Sequence, residues 1–481
     1  MQLLQLIQSI KPKQVIGPKN PEITSLTFDS RKVTPGAMFV AIRGTSFDGH
    51  SFIPLLEHSG VGAIVCEQLP DKLLPGISYV VVDNTSIALG LLSSEWFGHP
   101  SRKLKLVGVT GTNGKTTTAT LIYEMARLMG HKSGLLSTVC NYIETEAVHA
   151  TQTTPDAYSI NELLARMVDA GCTYAAMEVS SHAAHQHRIA GLTFAGGVFT
   201  NLTRDHLDYH KTVQAYLQAK KSFFDGLPAE AFALVNADDK VGAVMLQNCA
   251  AKHYTYSLQT IADFTCKIIE SRLDGTLLSI NGHEVETMFT GRFNAYNLTA
   301  VYGACTLLGW APEDVLTNVS RLVPVAGRFQ AVRGKNGVIA IVDYAHTPDA
   351  VVNVLETIRE VGPKRIITVV GAGGDRDKGK RPIMAAEAVR LSDLVILTSD
   401  NPRTEEPRAI LADMEEGLTD ETRVRARVIV DRREAICEAA RIAEPGDVIL
   451  IAGKGHEDYQ EIHGVKHHFD DREEAQNALN L

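Results

Sequence analysis

Long apolar runs are missing from this 481-residue chain. No stretch reaches the roughly 18 residues that a membrane-crossing helix needs, so no span is expected. The opening MQLLQLIQSIKPKQ has too short an apolar run for a secretory signal and no small-residue cleavage site. Cysteine is sparse and scattered: Cys66, Cys140, Cys172, Cys249, Cys266, Cys305 and Cys437, with no CxxC pair. An odd set of this kind excludes a disulfide framework and a zinc knuckle and fits a reducing compartment, so a cytoplasmic location is expected. Basic charge is in deficit, with 47 Lys plus Arg against 56 Asp plus Glu and a net charge of −9. The deficit argues against non-specific nucleic-acid binding, which needs a basic surface, and no nucleic-acid partner is expected. A strongly anionic substrate must instead be met by locally placed cations.

What is present suffices for several packed cores. Apolar residues make up 44% and charged residues 21% of the chain, and its length points to about three α/β domains. The first block, to about residue 100, holds strand-like runs at Met38–Ile42, Gly62–Cys66 and Tyr79–Asp83 between Gly, Pro and Asp turns. A polar segment with Pro100, Phe97–Leu104, reads as a linker. The second block alternates strands (Leu104–Thr110, Tyr174–Val179, Gly197–Asn201, Phe232–Asn236) with helix-length stretches, which predicts a parallel sheet. It ends near Val323–Arg333. The third block repeats the pattern at Val338–Asp343, Arg365–Val370, Leu394–Thr398, Arg427–Val430 and Val448–Ile451, and reads as a second, doubly wound, Rossmann-like sheet.

Residues 108–118, GVTGTNGKTTT, lie between a predicted strand and a predicted helix from Thr117 to about Met129. Backbone N–H groups of such a loop point at phosphates, Lys115 neutralises them, and the Thr116 hydroxyl can hold Mg²⁺. The strict GxxxxGK[ST] pattern is not met, because Gly108 is one residue too far from Gly114 and Val109 stands where glycine is required. The loop by itself indicates nucleotide phosphates and no particular reaction.

Glu178 closes one predicted strand, and the next leads through Asn201 into a segment with Asp205, His206, Asp208 and His210. Ligands gather at the carboxyl ends of strands in open α/β sheets, so Glu178 and His206 are expected beside the phosphate loop. The spacing of His206 and His210 is that of a zinc helix, but Leu207 stands where HExxH requires Glu. Solvated loop polar groups are the plainer alternative. Lys220, on the helical stretch Tyr216–Phe224, would by pattern alone be an exposed charge. Gly371-Ala-Gly373-Gly374-Asp-Arg376 fails the dinucleotide signature because Arg376 occupies its last glycine.

Eight segments stand in order: TGTNGKTT, MEVSSHAAHQHR, FTNLTRDHLDYH, GRFNAYNLTA, DYAHTPDA, GGDRDKGKRP, DNPRTEEP and AGKGHEDYQ, with TFDSRKV and FVAIRGTSFDGH before them. Together they span the chain and resemble the Mur ligases, the ATP-dependent amide-bond ligases of peptidoglycan precursor synthesis, and within them the diaminopimelate-adding branch. The resemblance implies three domains: 1–101 for the UDP-precursor, 102–328 for ATP and 329–481 for the amino acid. It puts Phe28 and Ser30 at the uridine end of the precursor, and Gln152, Thr153, Thr154, Ser180, Gln186 and Arg188 along the rest. ATP would be held by Gly111, Thr112, Asn113, Gly114, Lys115, Thr116 and Thr117, with Asn294, Asn297, Arg328 and Asp343 as adenosine and hinge contacts. Thr116, Glu178, His206 and Lys220, the last as a carbamate formed with CO₂, would surround Mg²⁺; Lys115, Lys220, His206 and Glu178 are the implied catalytic set. Arg376, Asp400, Asn401, Pro402, Arg403, Gly453 and Glu457 would receive diaminopimelate.

The implied reaction joins the glutamyl carboxylate of UDP-N-acetylmuramoyl-L-alanyl-D-glutamate to meso-diaminopimelate through an acyl phosphate, in a monomer that closes its third block onto its second. The alternatives are the lysine-adding ligase of the same family, a folylpolyglutamate synthase, and a nucleotide switch that ligates nothing.

Overall fold

The structure is a computed structural model that describes residues 1–44, 47–273, 275–335 and 337–480. Thr45 and Ser46 of FVAIRGTSFDGH lie outside the described residues. The first sheet contains β1 (Gln14–Ile16), β2 (Ser25–Thr27), β3 (Ala37–Val40), β4 (Ala63–Cys66) and β5 (Ser78–Val81) in the order β1-β5-β4-β3-β2. All neighbours are parallel except β1 and β5. Every residue of β3 and β4 is buried, as continuous apolar strands covered on both faces should be. The helix Thr85–Trp96, capped by the Asn84 side-chain Oδ1, which accepts the Ile87 N–H at 2.9 Å, covers one face and reaches the next domain. A Cβ on its Gly90 would sit 2.4 Å from the Ala190 carbonyl oxygen, so the two backbones touch.

The segment expected to be a polar linker is structured. Pro100–Lys103 form a 3₁₀ turn, Ser101 is buried, and its Oγ accepts the Thr193 N–H at 3.0 Å. Its polarity signalled exposure, but the serine hydroxyl is used to dock the first domain on the second.

The central sheet runs from β6 (Lys105–Thr110) through β7 (Ser133–Leu136), β8 (Asn141–Ile143), β9 (Glu146–Val148), β10 (Tyr174–Glu178), β11 (Gly196–Phe199), β12 (Phe232–Asn236), β13 (Lys252–Ser257), β14 (Phe264–Arg272), β15 (Gly275–Ile280) and β16 (His283–Thr287). Its order is β16-β15-β14-β13-β12-β11-β6-β10-β7-β8-β9. The expected parallel sheet forms the centre, and antiparallel strands extend it at both edges. From β7 to β14 the neighbours are parallel, but β8–β9 and β15–β16 add antiparallel edges. The β15–β16 turn carries Asn281 and Gly282 at φ 48° and 86°, the two left-handed residues of a tight hairpin. Alternate residues of the parallel strands feed two cores. Val107, Val109, Ala176 and Val198 meet the helices Lys115–Leu128 and Arg292–Leu307 on one face. Leu106, Met177, Phe199 and Ala233 meet Ala157–Asp169 and Val213–Asp225 on the other. Leu121, Ile122 and Met125 of the helix after the phosphate loop are buried, each contributing roughly 1.5–3 kcal/mol before entropy is counted.

The third sheet holds β17 (Gln330–Arg333), β18 (Ile339–Asp343), β19 (Ile366–Val370), β20 (Leu394–Leu397), β21 (Ala426–Val428) and β22 (Val448–Ala452) in the order β17-β18-β22-β19-β20-β21. Only β17 runs antiparallel to its neighbour. Helices Pro348–Glu360, Lys380–Leu391 and Pro407–Glu415 cover one face, and Arg432–Ile442 and Asp471–Asn480 the other. A separate hairpin, β23 (Tyr459–Ile462) and β24 (Val465–His468), follows β22.

Candidate active site

The carboxyl ends of the central and third sheets open onto one cavity of about 760 Å³. Residues following β6, β10, β11 and β12 form one wall, and residues following β18, β19, β20 and β22 form the other. Thr112–Thr117 lie on the first wall. Gly111 has its backbone against the next strand, where a Cβ would fall 1.9 Å from Thr200 Oγ1; no other residue fits. Lys115 Nζ turns back to the carbonyls of Gly111 (3.0 Å) and Thr112 (2.8 Å), so the loop's own oxygens hold the cation that phosphate oxygens would take. Burial lowers the Lys115 pKa, while Glu178 and Asp205 oppose that shift.

Lys220 is 1% exposed, on the inner face of the helix Val213–Asp225. Its Nζ donates to the Gly111 carbonyl at 2.6 Å and lies 4.6 Å from the Tyr216 ring centroid. Burial, aided by the charge of Lys115, lowers its pKa well below the ordinary lysine range, which favours the neutral amine. Glu178 Oε1 accepts the Thr138 N–H (2.7 Å) and hydroxyl (3.0 Å), whereas its buried Oε2 has no partner. A buried carboxylate oxygen without a donor fits a cation ligand, since otherwise it is left desolvated at a cost of about 1–3 kcal/mol. Thr116 Oγ1 accepts from Arg328 Nη2 at 3.1 Å. Burial, then the charges of Lys115 and Lys220, depress the His206 pKa and keep its imidazole neutral, as a ligand must be. Among the described residues no three His, Cys, Asp or Glu side chains are grouped to hold a metal by themselves. The His206–His210 spacing makes no zinc pair: His210 Nε2 pairs with Ser181 Oγ at 3.0 Å. The donors present suit Mg²⁺, which takes few protein oxygens and completes its shell with phosphate and water.

Gln152, Thr153, Thr154, Ser180 and Arg188 line the cavity beside Glu178. Arg188 is held by the Thr154 carbonyl at 2.7 Å and by Gln186 Oε1 at 2.7 and 3.0 Å, which places Gln186 behind it and off the cavity wall. Phe28 and Ser30 lie on the first domain and do not reach this cavity. Asn297, Arg328 and Asp343 line it, but Asn294 sits one layer back, its Nδ2 on the Thr290 carbonyl at 2.9 Å. Arg328 also stacks over Tyr344 at 4.5 Å. Burial raises the Asp343 pKa to about 6, against the pull of Arg328 and two backbone N–H groups.

Arg376, Asp400, Asn401, Arg403, Gly453 and Glu457 share the opposite wall, while Pro402 has its backbone packed on Gly374 and does not line the cavity. Gly453 (φ 120°) lets β22 end against Asp400, whose Oδ2 would lie 2.4 Å from a Cβ there. Arg403 adopts φ 53° and is fixed through its backbone: its N–H donates to the Glu461 carbonyl (3.0 Å), and its carbonyl accepts from His463 (2.7 Å). Its Nη1 donates to the Gly374 carbonyl at 2.6 Å, and Nε is 3.7 Å from the Glu461 carboxylate. Sequence reasoning missed Thr138, Asp238, His346 and Lys380, which also line the cavity. Thr138 and Asp238 follow the ends of β7 and β12, so the strand-end rule carried a signal for both.

Three family descriptions match the chain in order: Mur ligase family, catalytic domain, at residues 22–88; Mur ligase middle domain at 109–305; and Mur ligase, glutamate ligase domain, at 327–455. The UDP-N-acetylmuramoyl-L-alanyl-D-glutamate–2,6-diaminopimelate ligase of Parabacteroides distasonis is 62% identical over 475 residues, 98% of each chain. The chain belongs to the Mur ligase family. A solved structure of a ligase with the same printed name superposes with a TM-score of 0.70 at 34% identity, covering 98% of both chains. The Mycobacterium tuberculosis folylpolyglutamate synthase complexed with ADP has a TM-score of 0.63 at 16% identity, over 77% of this chain and 92% of its own, which is a likeness of fold alone. Mur ligases are ATP-dependent amide-bond ligases, and the cavity is built as such an enzyme requires. Among the described residues, no helix is long and apolar enough to cross a membrane.

Proposed function

We propose that this Mur ligase adds meso-diaminopimelate to UDP-N-acetylmuramoyl-L-alanyl-D-glutamate, acting as a cytoplasmic monomer that consumes ATP. One arrangement carries the reading: the phosphate loop and the Arg403 pocket face each other across a single cavity. A free carboxylate is a poor electrophile, being anionic with no good leaving group. The glutamyl carboxylate attacks the γ-phosphorus of ATP, ADP departs, and an acyl phosphate results. The neutral amine of diaminopimelate attacks that carbonyl carbon, phosphate leaves with its bonding pair, and the amine proton passes to solvent or a nearby base.

The chain's part is positioning and charge. Lys115 exchanges its two loop carbonyls for phosphate oxygens, and the loop N–H groups point the same way. Glu178 Oε2, Thr116 Oγ1 and the His206 ring are the groups that would hold Mg²⁺, which when bound neutralises phosphate charge. The neutral Lys220 amine combines with CO₂ to give a carbamate and a proton, turning a buried amine near the metal donors into an anionic oxygen donor. Gln152, Thr153, Thr154, Ser180 and Arg188 orient the precursor beside Glu178, while Phe28 and Ser30 take its uridine end through the first domain. On the far wall Arg403 and Asn401 take the distal carboxylate of diaminopimelate, and Glu457 its ammonium.

Phosphate release should be measured with the precursor and a panel of amino acids. Release that requires both the precursor and meso-diaminopimelate is expected. Equal release with L-lysine refutes the choice of amino acid, and release that ignores both co-substrates refutes ligation.

A further inference from the structure

Lys454 belongs to the AGKGHEDYQ segment, yet the reaction above gives it nothing to do. Its side chain is 0% exposed and it does not line the cavity. Nζ donates to Asn401 Oδ1 at 3.1 Å and to Glu457 Oε2 at 3.1 Å, and lies 5.4 Å from the Tyr459 ring centroid. Asn401 Oδ1 also accepts the Glu461 N–H at 2.9 Å, while Asn401 Nδ2 donates to Glu457 Oε2 at 2.8 Å. The two ends of a primary amide have nearly the same shape, and only their partners decide which way it points. Here a cation and an N–H lie on one side and a carboxylate on the other, so the oxygen faces Lys454. That leaves one Nδ2 hydrogen for a ligand.

Glu457 depends on the same lysine. Burial and the neighbouring Asp400 carboxylate push its pKa up, and Lys454 and the Asn401 amide oppose them. Tyr344, Tyr459 and Arg432 also act on this group. Arg432 is itself engaged by Asp471, so Lys454 is the cation bonded directly to Glu457.

We propose that Lys454 is the positioning residue of the amino-acid site: it fixes the direction of the Asn401 amide and keeps Glu457 an anion. An incoming zwitterion then meets a donor and an acceptor already set in place. This rests on the ligase reading, and the test separates the two. Lys454→Met removes charge and donor, while Lys454→Gln keeps a donor and guards against a folding defect. In both, the Michaelis constant for meso-diaminopimelate should rise about tenfold to a hundredfold at neutral pH. The constants for ATP and the UDP-precursor should stay near wild type. The diaminopimelate constant of the variants should then fall more steeply with rising pH than that of wild type, as the unsupported Glu457 regains its charge. A parallel rise in all three constants, an unchanged diaminopimelate constant, or a rise that ignores pH overturns the role of Lys454. Wild-type enzyme that releases no phosphate with meso-diaminopimelate takes down the ligase reading and this inference together.

Discussion

Arg432 and Asp471 offer a measurable test of how the amino-acid wall is supported. Both side chains are 0% exposed, and two parallel bonds join them: Nε to Oδ1 at 2.8 Å and Nη2 to Oδ2 at 2.7 Å. The guanidinium also donates to the Ala452 carbonyl at 3.0 Å and the Ser399 carbonyl at 3.4 Å, at the ends of β22 and β20. Asp471→Leu strands a buried guanidinium and should destabilise the third domain by about 3–5 kcal/mol. Arg432→Met strands the carboxylate at similar cost. The double variant Arg432→Met/Asp471→Leu leaves neither member of the pair as a stranded charge; it loses two carbonyl contacts worth about 1 kcal/mol each and should fall within about 2 kcal/mol of wild type. The coupling energy of the cycle should therefore exceed about 3 kcal/mol. The chain has two tryptophans, Trp96 and Trp310, both outside this domain, so fluorescence would report elsewhere. Hydrogen exchange of the β19, β20 and β22 amides in a urea series is the suitable assay. A coupling below about 1 kcal/mol, or a single variant as stable as wild type, would refute the reasoning.

Three further outcomes are expected. Lys220→Ala should be nearly inactive, and formate should restore part of the rate by supplying a carboxylate oxygen where the side chain ended; an active variant without added acid would contradict this. Wild type should prefer meso-diaminopimelate to L-lysine by about 10³-fold, since an unpaired buried charge costs roughly 3–5 kcal/mol, and Arg403→Ala should lose most of that preference, read as a ratio of kcat/KM values. Glu405 is held down to about 2 chiefly by the Arg381 guanidinium, so its contribution to stability is complete above the unfolded carboxylate value near 4.5 and is lost as pH falls through about 2. Urea midpoints followed by circular dichroism should drop between pH 5 and pH 3 in wild type and less in Glu405→Gln.

Much of the site was written locally in the sequence. A buried strand, glycines and a lysine before a helix are near neighbours in the chain, so Gly111–Thr116 could be read without knowing the fold. What packing decides could not be read. Lys220 and Lys221 are adjacent, yet one faces the loop and the other pairs with Asp225. Asn294 and Asn297 share a motif and a helix, but only the second reaches the cavity. Arg432 and Arg433 look alike; the first is fully buried on a partner 39 positions away, and the second is exposed. The antiparallel edge at β15–β16 did leave a trace, the Asn281–Gly282 pair, which reading by strand–helix alternation passed over.

The two walls of the cavity come from separate sheets with separate cores. On the proposed reading, activation of the acid is thereby inherited in one module and choice of the amine in another. Substitutions in the loops after β20 and β22 can change which amine is taken without disturbing the packing that shapes the phosphate loop. On that reading, exchange of the incoming amino acid would require change in only one of the two modules, with the chemistry left untouched.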